Sequence, residues 1–256
     1  VEAGRFVMAY GDQRLIGHLE WFDQGRTYDG VRALYHPDGW WLDAFFVRVR
    51  ETTTPDDDQW FVGLYGGRDW FEAYALLFSD DMARPGEAGP GDSRFVTLGF
   101  RIHDRRGAFD YTIEVTFQTG DVNGDDLGAM GVVLGGGFTF EDAWGKPRVG
   151  LLAAYASGDA DPADGDQDTL QTLFPTNHLH YGRADVLGWG NLLDIALSVK
   201  AAASDRVTLL LEVHHFRVAE ERGPWVHAGG GVIRTGGIGV GKELGNEIDF
   251  TVIVKP

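Results

Sequence analysis

The chain has 256 residues, no cysteine and a formal net charge of −17. The missing thiols exclude a disulfide framework and a thiolate metal site, and the acidic balance excludes nonspecific nucleic-acid binding, which needs a basic footprint. No apolar run approaches the ~20 residues of a membrane helix, whereas 37 glycines and 12% aromatic residues suit many strands and tight turns.

Residues 2–10 alternate Phe6, Met8 and Tyr10 against Arg5, Val7 and Ala9, as a strand does. A polar excursion ends at Gly30. Val31, Ala33 and Tyr35 then oppose Arg32 and Leu34, and HPDG turns the chain into a long strand carrying Asp43. After the acidic stretch ETTTPDDDQ, residues 60–65 and 70–78 are strands joined by GGRD, and residues 79–93 read as a longer loop. Residues 94–103 and 109–118 follow, joined by DRRG; in the second, Phe109, Tyr111, Ile113, Val115 and Phe117 oppose Asp110, Thr112, Glu114, Thr116 and Gln118. A DVNGDD loop, residues 127–140, the turn EDAWGKP and residues 148–157 lead to the longest loop, which holds an Asp-rich run and LFPTNHLHYG.

Residues 192–216 then form a hairpin. Leu193, Ile195, Leu197, Val199, Val207, Leu209, Leu211 and Val213 make one apolar face, against Asp194, Ser198, Lys200, Thr208, Glu212 and His214 on the other. A glycine-rich excursion precedes a last strand in which Ile248, Phe250, Val252 and Val254 oppose Glu247, Asp249 and Thr251. About twelve segments arise, several near the ~9–11 residues of a tilted membrane strand. Their connections alternate between short and long. That meander predicts an all-β fold, an antiparallel up-and-down transmembrane β-barrel of about 12 strands, in one domain over residues 1–256.

The stretches YGDQRLIG, RTYDGVRA, LFPTNHLHYG and LGNEIDFTV resemble those of the alginate-export family of bacterial outer-membrane β-barrels, with LFPTNH followed by HYG the most specific piece. The resemblance implies a monomeric porin in the outer membrane of a Gram-negative bacterium that passes an anionic polysaccharide such as alginate, or another charged small solute. Members are typically longer, so the chain reads as a central and C-terminal portion of a larger barrel. Arg14, Arg26 and Arg32 stand in the matching segments, and Asn177, His178 and Tyr181 in the loop motif.

Arg5, Arg32 and Arg101 fall on the polar phase of their strands, where a guanidinium can grip carboxylates. With Arg14 and Arg26 they are candidate solute contacts in a charged pore; pairing with neighbouring lumen carboxylates is the competing role. Asp43, Asp110, Glu114, Asp194, Lys200, Glu212, His214, Glu247 and Asp249 complete the expected lining. Asp110 and Glu114 form a ladder along one strand face more than a hydrolytic dyad, no nucleophile elbow occurs, and no enzymatic activity is expected. Asp121, Asn123 and Asp125, then Asp159 and Asp161, carry hard oxygen ligands at spacings that suit a structural Ca2+, without the EF-hand pattern; no other cofactor is expected. The eight tryptophans fall near strand ends, as an interfacial girdle would place them. The rival reading is a soluble β-sheet carbohydrate-binding or hydrolytic protein, which would bury the apolar face between sheets. A barrel plugged by its own loops is a third reading.

Overall fold

The computed structural model describes residues 1–20, 23–50, 58–227, 229 and 231–255. Its strands are β1 Glu2–Phe6, β2 Tyr28–Tyr35, β3 Trp41–Arg50, β4 Gln59–Arg68, β5 Phe71–Pro85, β6 Pro90–Arg106, β7 Phe109–Val122, β8 Asp125–Thr139 and β9 Arg148–Ala156. There follow β10 Asp166–Gln167, β11 Leu192–Ala202, β12 Val207–Arg217, β13 Trp225–Val226, β14 Val232–Arg234 and β15 Glu243–Val254. Twelve of them form one antiparallel meander, in which each strand pairs with the next along the chain. Only β10 joins it from the side, in parallel against β8, while β13 and β14 pair with each other. The all-β, up-and-down fold predicted from alternation is thus present.

The two faces of the sheet differ in chemistry. Outward-facing rows such as Ala33, Ala44, Leu64, Ala75, Leu98, Phe117 and Met130 are paired directly across strands. Leu64, Leu98, Phe117, Leu134, Leu151, Leu197, Leu211 and Phe250 on this face are exposed. At the end bearing the long connections the outer phase turns polar along Arg5, Asp29, Arg48, Trp60, Ser79, Arg94 and Asp121, a row of direct cross-strand partners. At the short-turn end Trp40, Trp70 and Trp144 are exposed. An apolar band bounded by a polar row and by aromatics is how a wall facing hydrocarbon is built.

Two segments expected to be loops are strand. β5 and β6 continue to Pro85 and from Pro90, and β7 and β8 are joined by Asn123 and Gly124 alone. Asn123 and Gly124 have φ of 55° and 89°, the two left-handed residues of a type I′ hairpin. With 15, 17, 14 and 15 residues, β5 to β8 exceed the ~9–11 needed to cross a bilayer, so their polar ends rise beyond the band. Polar residues on both phases there hide the alternation that would have revealed them.

The inner face wraps around chain from two excursions, residues 8–18 and 170–191. Gly17 N–H donates to Phe174 O at 2.7 Å, Phe174 N–H to Leu15 O at 2.8 Å and Thr176 N–H to Gln13 O at 2.9 Å. Met8, Tyr10, Leu15, Ile16, Leu170, Tyr181, Leu187 and Trp189 are buried together with Phe45, Val47, Phe61, Tyr65, Tyr74 and Leu76 of the sheet. Here the apolar phase of β1 points inward, since Phe6 pairs with inward-facing Tyr28, which is 2% exposed.

Candidate functional site

Arg5 was expected to line the lumen, but it lies on the outer face, donating to Asp29 at 2.8 and 2.7 Å. The phase of a short strand is set by its partner, and packing of half-buried Phe6 against the core formed with the inserted segments 8–18 and 170–191, together the plug, commits Arg5 outward. Arg26 is also no free lumen cation. Its guanidinium donates to the carbonyls of Gly17, Phe174 and Pro175, tying the two inserted segments together. Arg14 belongs to the plug too, 4% exposed, giving a hydrogen bond to Tyr181 Oη at 3.1 Å and facing Glu114 at 3.7 Å. Arg32 is inward and bound to Glu2 at 2.7 Å.

The remaining expected lining residues lie on the inner phase, and most of them fasten the plug. Asp43 accepts from Tyr10 Oη at 2.9 Å and from His36 at 2.7 Å. Arg101 donates to Asp12 and, at 3.1 Å, to Glu72. Glu212 accepts from Arg183 at 3.3 Å, Asp249 from the Arg183 N–H at 3.3 Å and Glu247 from the Ala184 N–H at 2.7 Å. Asp194 pairs with His214 at 3.0 Å in the buried wall, and Lys200 is exposed on the inner phase near the short turns. Sequence reasoning missed Asp12, Gln13, Thr176 and Arg183. The only signal for them was the density of apolar residues inside supposedly polar excursions.

Asn177 and His178 sit in a single 3-10 turn, Asn177–Leu179, buried in the plug. Asn177 donates to Leu187 O and Asp185, and the Tyr181 ring lies tilted beside His180 at 5.8 Å. His180 Nε2–H donates to the Asp12 carbonyl at 2.6 Å. Burial first, and the nearby Arg14 and Arg101 charges next, hold this imidazole well below its ordinary 6.5. Because the seated form prefers the neutral ring, its stabilisation is complete above pH 6.5 and is lost as pH falls through the depressed value. Acidification below pH 6.5 is therefore expected to loosen the inserted segments, read as faster hydrogen exchange of the Gly17 and Thr176 N–H groups; His180→Gln should flatten that dependence.

The expected calcium ligands are dispersed. Asp125 accepts from the N–H groups of Glu87 and Ala88 at 2.7 and 2.8 Å, Asn123 forms the hairpin turn, and Asp121 lies on the outer face. Asp159 accepts from Asp161 N–H at 2.9 Å, and Asp161 pairs with Arg222 at 2.9 Å. Burial, then Glu87 and Asp164, push the Asp159 carboxyl up to about 7. Among the described residues no group of three or more His, Asp or Glu side chains is arranged to hold a metal ion. The tryptophans also divide: Trp41 stacks on Tyr10 and Tyr65 inside, Trp189 is buried, donating to Tyr155 O, and Trp21 lies outside the described residues.

Below the plug, toward the short turns, the inner face keeps a cavity of about 490 Å³. Arg14, Leu179 and His180 roof it; Arg101, His103, Thr112, Arg148, Glu212 and His214 stand around it; Gly135, Gly150, Ala196 and Ser198 form its floor. The arrangement is a polar cavity beside the inserted segments, with fixed charges of both signs. A sequence model described as Alginate export matches residues 1–255 of the chain. No curated protein matches it.

Proposed function

The chain belongs to the alginate-export family, a family of outer-membrane transport proteins, and from that premise we propose that it conducts a charged solute, an anionic polysaccharide of the alginate type, through a lumen gated by its own inserted segments. The observation that carries the reading is the division of the sheet into an apolar, exposed outer band and a polar inner face. A soluble carbohydrate-binding or hydrolytic sheet would bury that band. Passage needs no bond to break: charges along the wall hold the polymer weakly at successive points, and a site that binds too tightly would stop conduction. The plug supplies closure, and its fasteners are charged pairs that water and a polyanion can compete for.

Proteoliposomes loaded with labelled mannuronate oligomers test this reading. Export should require the protein and should fall when the two inserted segments are joined by an engineered disulfide, Gln13→Cys with Thr176→Cys, whose native side chains meet at 2.9 Å. Oligomer retention equal to that of protein-free vesicles would contradict it. The membrane arm has its own test. Leu64 is outward-facing and 51% exposed, and Leu64→Arg should cost ~2–4 kcal/mol of insertion free energy if it sits near the bilayer midplane. Folding into vesicles, read by heat-modifiable gel mobility, should drop for Leu64→Arg and stay unchanged for Arg94→Leu at the polar row.

A further inference from the structure

The outer band is not uniform. Two outward-facing positions below the polar row, Ala33, Ala44, Leu64 and Ala75 are direct cross-strand neighbours, and the same row continues through Leu98 and Phe117. Three alanines beside leucines and phenylalanines leave a hollow in the wall. Its volume is about 440 Å³, within the range of small-molecule sites, and Phe46, Val62, Leu64 and Leu77 flank it. The lining runs from Val31 on β2 to Val96 on β6, four interstrand steps, so roughly 19 Å across. That is wider than a single hydrocarbon chain.

Directly above the hollow runs the polar row. Register places Phe46 beneath Arg48, Val62 beneath Trp60, Leu77 beneath Ser79 and Val96 beneath Arg94. Arg94 is exposed, and among the described residues its side chain makes no hydrogen bond, ion pair or ring contact. Its cross-strand partner Asp121 lies beyond ion-pair distance. The other arginines on the outer face of β1 to β6 are engaged. Asp29 holds Arg5 at 2.7 Å and Asp104 holds Arg106 at 3.1 Å. Arg68 lies over the Trp40 ring at 4.7 Å, and Arg48 over the Trp60 ring at 4.4 Å with Asp58 at 3.7 Å. A second hollow of about 500 Å³, around Ala73 and Phe100, lies nearer the short turns, where Arg68 and Arg106 are the engaged ones. A guanidinium at the edge of hydrocarbon with no protein partner is matched by a lipid phosphate, whose oxygens its planar fork grips in pairs.

We propose that the upper hollow and Arg94 form a binding site for a phosphorylated lipid with several acyl chains, in the leaflet on the side of the long connections. The chains lie side by side over Ala33, Ala44 and Ala75, Arg94 holds the phosphate, and Trp60 and Ser79 border the headgroup. Long connections face the exterior in outer-membrane barrels, so the site selects a lipid of the outer leaflet. The proposal rests on the membrane reading of the wall and is independent of what the lumen conducts.

The test is native mass spectrometry of the protein folded in detergent micelles, titrated with lipid A and with lipid A stripped of its phosphates. The unsubstituted protein should retain one lipid A at lower concentration than the dephosphorylated form. Arg94→Gln should raise the half-saturating concentration of lipid A about tenfold, the loss of one charge-assisted contact, and leave the dephosphorylated form unchanged. Ala75→Phe, which fills the hollow from the lipid side, should weaken both. Arg206→Gln, in the turn at the opposite end of the wall, should alter neither. Heat-modifiable mobility checks that each variant is folded. Equal half-saturation by lipid A in Arg94→Gln and the unsubstituted protein, or no preference for the phosphorylated lipid, would overturn the site and leave the membrane wall standing. Failure of the unsubstituted protein to fold into vesicles would overturn the membrane reading first.

Discussion

Replacing Gly17 with valine will unseat the plug and raise single-channel conductance several-fold. A Cβ at residue 17 would lie 2.2 Å from Thr176 Oγ1 and 2.6 Å from Thr176 N, inside any permitted contact. Thr176 cannot retreat. Its hydroxyl donates to Gln13 at 2.9 Å and accepts the Leu19 N–H at 3.0 Å, and its own N–H is held by Gln13 O. Overpacking of this kind costs ~1–3 kcal/mol, and it falls on the seam between the two inserted segments and not on the sheet. The wall should stay folded, because none of its ladders involves residue 17. Bilayer recordings and urea unfolding in detergent together check this: larger, noisier currents with little change in the unfolding midpoint of the wall. Unchanged conductance in Gly17→Val would mean that the inserted segments do not limit flow.

Arg14→Ala will destabilise the seating of the plug on the wall more than any substitution on the outer face. Arg14 and Glu114 are both 4% exposed and face each other across the plug–wall boundary. Removing the guanidinium leaves Glu114 with Tyr74 Oη at 3.1 Å as its hydrogen-bond donor and no counter-charge within ion-pair distance. Breaking a buried pair from one side typically costs ~3–5 kcal/mol, because the remaining charge stays buried and uncompensated. The double variant Arg14→Ala with Glu114→Gln should recover much of that loss, since an uncharged amide is cheaper to bury. Equilibrium unfolding of the two variants reads the difference directly. If both lost the same stability, packing of the Arg14 stem against Tyr181 and not charge would be the cause.

The wall was legible in the sequence and the plug was not. Strand alternation is a local signal, so residues such as Phe109 to Gln118 declare both faces within ten positions. The plug is held by partners far apart, Gly17 with Phe174 and Arg14 with Tyr181, and no periodicity marks either segment. The motif residues DQRLIG and LFPTNH pointed to a family without saying what they touch; in space they zip to each other. The plug also explains why polarity misled at β1 and why apolar residues share the inner phase with Asp43 at β3. Phe6, Trp41, Phe45 and Val47 face inward because their neighbour there is the apolar side of the insert, not water. Arg32, Asp43, Arg101, Asp110, Glu114, Asp194, Lys200, Glu212, His214, Glu247 and Asp249 lie on the inner phase of their strands. What a one-dimensional pattern could not supply is that most of these charges already have partners in the insert.

The most direct test is the reversal potential of single channels under a salt gradient, measured before and after adding mannuronate oligomers. The account predicts a shift toward the anion equilibrium potential and a current that the oligomers reduce from the side of the short turns. A cation preference with no response to oligomers would contradict it, leaving a wall whose carboxylates decide what passes.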